Sequence, residues 1–198
     1  MTKNILLTVL ISVGSVIPFI SNAQSEPEAP LSAAEIQDFK DQAQNTISAL
    51  ANYVELIGNK DKDINNRKKA VDLTVKLFMS DSNVVEVSSV NSSVIKRIPV
   101  RSYFMKLLWL PYEKVSITWY DVLLGKFELG KDGRYYATAT VYQKFTGTSS
   151  VEFGGRKYVD ITKKNIQIVV EKIPPAPGGI QSSWRLFLGD INVQETNN

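Results

Sequence analysis

The chemistry open to this chain belongs to carboxylates, tyrosines, lysines, arginines and serines, because the sequence contains no histidine and no cysteine. These two absences exclude Ser-His-Asp and Cys-His catalysis within the chain. They also exclude zinc sites built from imidazole or thiolate, haem with a His or Cys axial ligand, and thiol exchange. No metal site and no cofactor is predicted.

Asp121 is the carboxylate whose setting suggests proton transfer, since it follows Trp119-Tyr120 in a long apolar segment. In the predicted strand, Ile117, Trp119 and Asp121 share one face. A carboxylate enclosed by apolar side chains has a raised pKa that suits general acid–base catalysis. The alternative is a solvated position or a basic partner, because strand faces commonly carry charges.

Basic residues cluster around the start of the third predicted helix. Lys96, Arg97 and Arg101 are the candidates for a ligand or partner surface, with Lys106 nearby. Such a cluster can bind an anionic ligand, a surface sugar or a partner protein, and its alternative is a solvated face balanced by local acids. The formal net charge is only +3, so no nucleic-acid partner is predicted. Arg67-Lys68-Lys69 is a second basic run, predicted on the exposed side of the second helix.

Aromatic residues are numerous, and Trp119 is the one assigned to the candidate ligand surface. A pocket lined by aromatic side chains accepts an apolar or sugar-like ligand. The alternative is that these rings fill the core between sheet and helices.

Three segments are predicted to be helical. Ser32 and Glu35 match a capping box, and apolar residues then recur every three or four positions as far as Ile57. The second helix is capped by Asp61 or Asp63 and ends near Ser80; the third runs from Pro99 to about Leu110.

Strands dominate the rest of the chain. One β-branched strand, 84–90, lies between the second and third helices, and four long strands begin at Lys114, Arg134, Tyr158 and Trp184. Turns at 130–133 and 154–155 join the strands, and a proline-rich loop covers 174–179. The predicted fold class is α+β, with three N-terminal helices packed on a strongly curved antiparallel sheet.

The predicted order of helices and strands resembles the nuclear transport factor 2-like superfamily, which includes SnoaL-type proteins and ketosteroid isomerases and has a cone-like, cystatin-like fold. Four segments look like those of exported members of uncharacterised function: Val85–Ser89, Lys96–Arg101, Gln143–Gly147 and Phe187–Ile191. The resemblance covers about 32–193, predicted as a single domain and followed by a frayed tail, 194–198.

The resemblance also implies a pocket and a set of residues to test in it. A ketosteroid-isomerase-like site needs a carboxylate base with a tyrosine and an acid that stabilise the oxyanion. Asp121, Tyr135 and Tyr136 are chemically suitable for these roles, although nothing in their spacing ties them together.

Two functions are compatible with these sequence features. The first is an exported, non-catalytic binding or protein-interaction domain, with a homodimer, an envelope protein or a small apolar ligand as partner. The alternative is a small-molecule acid–base enzyme of the isomerase or dehydratase type. The enzyme hypothesis predicts an enclosed pocket in which one carboxylate points at a tyrosine hydroxyl. A fold whose interior is completely filled by side chains would exclude this hypothesis.

The N-terminal 23 residues are predicted to be an export signal, and the alternative is a membrane anchor, for which the apolar run is short and lacks a basic flank. Lys3 precedes an apolar run from Ile5 to Ile20, and Ser21-Asn22-Ala23 suits cleavage between Ala23 and Gln24. Residues 24–31 then form a flexible leader. The protein is expected in the periplasm or outside the cell. It is not expected to be a lipoprotein, and no membrane span is expected after cleavage.

Overall fold

The computed structural model describes residues 31–175 and 183–197, which contain three α-helices, a short 3₁₀ helix (Val151–Phe153) and seven strands. The helices are α1 (Ala33–Gly58), α2 (Ile64–Val75) and α3 (Val100–Leu108). The strands are β1 (Val84–Ser89), β2 (Ser92–Pro99), β3 (Lys114–Leu124), β4 (Glu128–Leu129), β5 (Tyr135–Thr148), β6 (Lys157–Ile173) and β7 (Ser183–Asn197). The α+β class predicted from the sequence is confirmed.

The seven strands form one mixed sheet in the order β2-β1-β7-β6-β5-β3, with β4 beside β5. The prediction of a wholly antiparallel sheet is wrong at one position, because β1 runs parallel to β7 and pairs Val85 with Ile191. The predicted single strand 84–90 is the first half of a hairpin in which β1 pairs with β2. The pairing of β1 with β7 places this hairpin against the end of the long meander.

Side-chain caps set where α1 and α2 begin. The capping box of α1 is confirmed, since Ser32 Oγ accepts from the Glu35 backbone N–H and the Ser32 N–H donates to Glu35 Oε2. Of the two aspartates proposed for α2, Asp63 is the cap, accepting from the N–H groups of Asn65 and Asn66. Helix α2 ends at Val75 rather than near Ser80, because Phe78 leaves it to bridge to Leu188.

The C-terminal ends of α1 and α3 share one cation. Arg67 is buried, donating from Nε to the Ile57 carbonyl at 2.8 Å and from Nη2 to the Leu108 carbonyl at 3.0 Å. The placement of Arg67 on an exposed basic face is therefore wrong, while Lys68 and Lys69 are exposed. Carbonyl groups at helix C-termini carry partial negative charge, so a guanidinium between them joins the two helices.

The main core lies between the three helices and one face of the sheet. Its fully buried large side chains include Ile47 and Leu50 of α1, Phe104 of α3, and Ile166 and Ile168 of β6. A smaller cluster of Phe39, Tyr135 and Val170 lies beside it. Alternate residues of β6 from Ile166 onward thus face the helices, which fixes the inward face of that strand.

The structure describes the predicted C-terminal tail, but it describes almost none of the predicted N-terminal segments. The residues predicted as a frayed tail continue β7, which pairs with β6 as far as Asn197, opposite Ile161. Backbone pairing with the long β6 strand holds them in the sheet. The predicted signal segment and most of the predicted leader, 24–31, lie outside the described residues.

Candidate active site

A pocket of about 440 Å³ lies between the β1–β2 hairpin, α3 and the inward faces of β3, β5 and β6. Its apolar wall consists of Val87, Ile98, Leu107, Leu110, Ile117 and Phe145. A volume of this size accommodates a small organic molecule. The fold is therefore not packed solid, and the apolar wall favours a ligand with an apolar body.

Strand β6 supplies the polar side of this pocket. Tyr158, Asp160, Thr162 and Lys164 line it at every second position. Because strand residues alternate between faces, all four lie on the same face as the buried Ile166 and Ile168. Cross-strand neighbours on β5 complete the surface, with Phe145 opposite Asp160 and Gln143 opposite Thr162.

Asp160 and Tyr158 form a hydrogen-bonded pair in the pocket. The Tyr158 hydroxyl donates a hydrogen bond to Asp160 Oδ2 at 2.7 Å, and Ser89 Oγ lies 2.9 Å from the same hydroxyl oxygen. Asp160 is only 6% exposed. Burial raises the pKa of the Asp160 carboxyl above its ordinary value, while the Tyr158 hydrogen bond and the Lys164 charge oppose that rise. Burial likewise raises the pKa of Tyr158.

Lys164 is a buried amine with few polar neighbours, being 3% exposed. Its Nζ donates to the backbone carbonyl of Glu86 at 3.3 Å and lies 5.8 Å from the centre of the Tyr103 ring. No carboxylate oxygen of the described residues lies within 4.0 Å of it. Burial lowers the pKa of Lys164 to about 8, and the charges of Asp160 and Glu86 only partly offset this.

Two buried polar atoms next to each other in the sheet have no hydrogen-bond partner among the described residues. They are Gln143 Oε1 and Trp119 Nε1, and the two residues are directly paired between β5 and β3. Buried polar atoms are nearly always hydrogen-bonded to protein or to ordered water, so each of these two atoms needs a partner from outside the described part of the chain. Gln143 lines the pocket, although its carbonyl oxygen itself is buried.

One wall of the pocket depends on a glycine. The Tyr112 ring lies against Gly147, where a Cβ would come within 2.7 Å of ring atoms. Tyr112 also meets Phe145 edge-on at 5.5 Å and stacks near Tyr158 at 6.4 Å between centroids. Gly147 therefore lets an aromatic side chain close over the strand next to the Asp160 pair.

The structure does not bring the three predicted catalytic residues together. A β-bulge between Tyr120 and Leu123 gives Asp121 a φ of 52° and reverses the faces beyond it. Asp121 is exposed, so its assignment to the face of Ile117 and Trp119 is wrong. Tyr135 packs in the small cluster against Trp184, at 5.5 Å between ring centroids, and Tyr136 donates to Asp132 Oδ2 at 2.6 Å.

The predicted ligand surface is divided by the structure. Lys96 lines the pocket together with Lys106, and Trp119 lies in the sheet beside Gln143. The two arginines are held within the chain. Arg97 pairs with Glu86 at 3.0 Å and Asp190 at 3.7 Å. Arg101 pairs with Asp72 at 2.8 Å and Asp81 at 3.4 Å.

The central site residues, Tyr158, Asp160 and Lys164, are absent from the sequence-based candidates. Their signal is a run of polar side chains at period two that continues, without a change of phase, into the apolar Ile166 and Ile168. Alternation alone defines two faces of a strand without saying which one is buried. The shared phase with the isoleucines is what assigns the polar run to the inside.

The arrangement offers a carboxylate, a phenol and an amine in an apolar pocket, which is suitable for proton transfer. Within residues 31–175 and 183–197, no three Asp or Glu side chains gather in a way that suits a metal ion. In that same part of the chain, no helix has the length and apolar character needed to cross a membrane.

Solved structures with a similar fold are known, although no family model and no curated protein matches the sequence. The Kfla4162 protein from Kribbella flavida aligns with a TM-score of 0.51 at 11% identity, over 82% of this chain and 95% of that one. A candidate scytalone dehydratase from Novosphingobium aromaticivorans gives a TM-score of 0.45 at 8% identity, over 83% of this chain and 90% of that one. SalBIII, an epoxide hydrolase/cyclase-like enzyme of salinomycin pyran-ring formation, gives a TM-score of 0.29 at 20% identity, over 77% of this chain and 98% of that one. The alignment with the Kfla4162 protein shows that the two chains share a fold.

Proposed function

We propose that this chain, which has the nuclear transport factor 2-like fold, is an acid–base enzyme of the isomerase or dehydratase type. The observation that carries the proposal is the buried Asp160 carboxylate, which accepts a hydrogen bond from the Tyr158 hydroxyl at 2.7 Å between oxygens inside a pocket. The enzyme alternative required an enclosed pocket in which a carboxylate points at a tyrosine hydroxyl, and the hydrogen-bonded pair supports it in a pocket that is partly open to solvent. Different residues fill these roles from those named from the sequence.

Asp160 is the proposed base. Its ionised carboxylate takes a proton from a carbon next to a carbonyl group, and the electron pair of that C–H bond moves toward the carbonyl oxygen. Tyr158 and Ser89 are positioning residues, because the Tyr158 hydrogen bond fixes the direction of the carboxylate and Ser89 in turn holds the Tyr158 hydroxyl. Burial makes Asp160 a stronger base than an exposed aspartate, since its conjugate acid has a raised pKa.

The polar groups deeper in the pocket are proposed to hold the substrate. An N–H of Lys164 donates to the substrate oxygen on which negative charge develops, which stabilises the transition state in a site of low dielectric constant. Gln143 lines the pocket, and a rotation of its side chain would let the buried Oε1 accept from a hydroxyl or amide of the substrate. The apolar wall holds the rest of the molecule.

The test is hydrogen exchange at carbon in a small ketone. Wild-type protein is incubated in D₂O with 4-phenylbutan-2-one, and deuterium entry next to the carbonyl is followed by NMR. We expect exchange above the buffer rate in the wild type. Asp160→Asn should lose about 10²- to 10⁴-fold of that acceleration, the usual contribution of one general base.

Asp121→Asn is the matched control, since Asp121 is a carboxylate on the exposed bulge of β3. It should keep the wild-type exchange rate. Equal exchange rates in wild type and Asp160→Asn would contradict the role of Asp160, and loss of exchange in Asp121→Asn would reinstate the residue selected from the sequence.

An interaction-domain function is the second candidate, favoured by apolar side chains on the outer face of β3. Leu123 is 67% exposed, and Tyr120 stacks on Tyr142 beside it at 5.7 Å between ring centroids. A second copy of the chain or an envelope protein is the proposed partner. Native mass spectrometry of wild type and Leu123→Asp is the test, and a complex that survives this substitution unchanged excludes this face.

Export is proposed from the apolar N-terminal segment alone. The mature protein, recovered from the periplasm or the medium, should begin at Gln24. N-terminal sequencing of cell fractions tests this, and an intact Met1 in the cytoplasmic fraction would contradict it.

A further inference from the structure

Lys164 is proposed above as a hydrogen-bond donor to the substrate oxygen, and it also has properties that this role does not require. It is a primary amine that lines the pocket, is 3% exposed, and has no carboxylate partner within 4.0 Å in the described part of the chain. Surface lysines pair with carboxylates or stay in water, and lysines are almost never fully buried unless they are paired. A buried amine without such a pair is typical of lysines that act as nucleophiles.

We propose that Lys164 forms a covalent imine with a carbonyl ligand that enters the Asp160 pocket. The substrate class is a small aldehyde or ketone with an apolar or aromatic body. The proposal rests on the proposed function in one respect, which is that a carbonyl compound occupies this pocket.

The covalent step is balanced by the groups present. The Nζ lone pair of the neutral amine attacks the carbonyl carbon, a C–N bond forms, and one N–H proton passes to the oxygen to give a carbinolamine. The C–O bond then breaks and the oxygen leaves as water, carrying both hydrogens that the amine brought. Protonation of the resulting imine gives an iminium ion, which acidifies the neighbouring C–H bond more strongly than a carbonyl does.

The surroundings of Lys164 favour the neutral amine that this step needs. The pKa of Lys164 is lowered to about 8 by burial. Relative to an ordinary lysine, this leaves on the order of a hundredfold more neutral amine at neutral pH. The charged groups that act on Nζ are Asp160 of the same strand and Glu86 of β1, and the Tyr103 ring of α3 faces it. The two carboxylates oppose this shift, and at neutral pH the larger part of the amine population is still protonated.

Asp160 and Lys164 are spaced for different parts of one ligand. They lie four positions apart on one face of β6, which separates their Cα atoms by about 13 Å in an extended strand. The lysine side chain is long enough to span part of that distance. A ligand held through its carbonyl carbon at Lys164 therefore lies in the same pocket and against the same strand face as Asp160.

The test is reductive trapping in the intact protein. 4-Phenylbutan-2-one is first shown to occupy the pocket by saturation-transfer NMR, and sodium cyanoborohydride is then added to reduce any iminium to a stable secondary amine. Intact mass and peptide mapping should find one adduct, equal to the probe minus its oxygen, on Lys164. Lys163→Met is the matched control, because Lys163 is the adjacent lysine on the opposite face of β6, and it should trap normally.

Lys164→Arg and Lys164→Met should both lose the adduct, although arginine keeps the charge. Trapping should increase as the pH rises from about 6 to 8, as the amine loses its proton. Modification spread over surface lysines, or no adduct while the probe is bound, overturns the proposal without use of any variant. If trapping at Lys164 persists in Asp160→Asn, and ketone exchange is equal in the wild type and this variant, the imine at Lys164 is supported and the role of Asp160 as general base is rejected. Exchange that depends on Asp160 without any adduct does the reverse.

Discussion

The two ionisable residues at the centre of the site each reduce the stability of the fold at neutral pH. Asp160 has a raised pKa in the folded protein because burial penalises its charged form. Its folded state therefore binds more protons than the unfolded state in the pH range above the ordinary value of 3.8. In that range the free energy of unfolding falls as the pH rises.

Replacing Asp160 by Asn should therefore stabilise the protein at neutral pH. The amide oxygen of asparagine can accept the hydrogen bond from the Tyr158 hydroxyl, and folding no longer buries a negative charge. The gain should disappear below about pH 4, where the wild-type carboxyl is protonated in both states. Urea unfolding of both proteins from pH 3 to pH 7 measures it. A constant difference across this range would mean that Asp160 is not desolvated in the fold.

Lys164 affects the free energy of unfolding at alkaline pH, and in the opposite direction to Asp160. Burial lowers its pKa from 10.5 to about 8, so the unfolded state binds more protons between these values and the wild type gains stability as the pH rises. Lys164→Met lacks this penalty and should be more stable at neutral pH by up to roughly 3 kcal/mol, at about 1.4 kcal/mol for each factor of ten. The advantage should shrink from pH 8 to pH 10.5 in urea unfolding experiments. If Lys164→Met is less stable at pH 7, the buried amine is compensated by interactions beyond those described.

At the scale of elements, the helices are held together by specific groups as well as by their apolar faces. Arg67 of α2 donates to the last turns of α1 and α3. Because α3 also supplies Tyr103 and Leu107 to the pocket, the position of this helix matters for the site. Arg67 thus links helix packing to the shape of the pocket.

Arg67→Met should destabilise the fold by about 2–4 kcal/mol, because two buried carbonyl groups lose a charged donor. Lys68→Met is the neighbouring control on the exposed face of α2 and should stay within about 0.5 kcal/mol of the wild type. Urea unfolding at pH 7 measures both variants. Equal stabilities for the two would show that water replaces Arg67 at these carbonyls.

The elements also show which sequence signals carry structural information. The capping box at Ser32 and the apolar spacing of α1 place that helix correctly, because both signals are local. The β-bulge at Asp121 has no such signal, since positive φ at a non-glycine residue depends on the pairing of β3 with β5. One added residue there reverses the faces beyond it, which is why the carboxylate chosen from the sequence lies outside the pocket.

At the scale of the whole molecule, the pocket depends on contacts between parts of the chain that are far apart in sequence. The β1–β2 hairpin reaches β7 through Asp190, whose Oδ1 accepts from Asn83 Nδ2 and the Val84 N–H, both at 2.9 Å. Glu86 accepts from the Val193 N–H and pairs with Arg97. More than 100 residues separate the hairpin from its partners on β7, so no local pattern predicts these contacts. The fold class follows from local patterns, whereas the site follows from these long-range contacts.

Removing the anchor at Asp190 should loosen the hairpin and open the pocket without unfolding the sheet. Asp190→Ala should cost about 1–3 kcal/mol, because the Val84 N–H and the Asn83 amide lose their acceptor. Hydrogen–deuterium exchange should increase in β1 and β2, while β5 and β6 stay protected, since hydrogen bonds with few neighbours open first. Asp72→Ala removes an exposed ion pair of Arg101 and is the control, with about 1 kcal/mol or less expected.

Affinity for 4-phenylbutan-2-one should fall in Asp190→Ala alone, because Val87 and Ile98 of the hairpin form part of the apolar wall. Uniform exchange across the sheet would instead mean that the hairpin and the meander unfold as one cooperative unit.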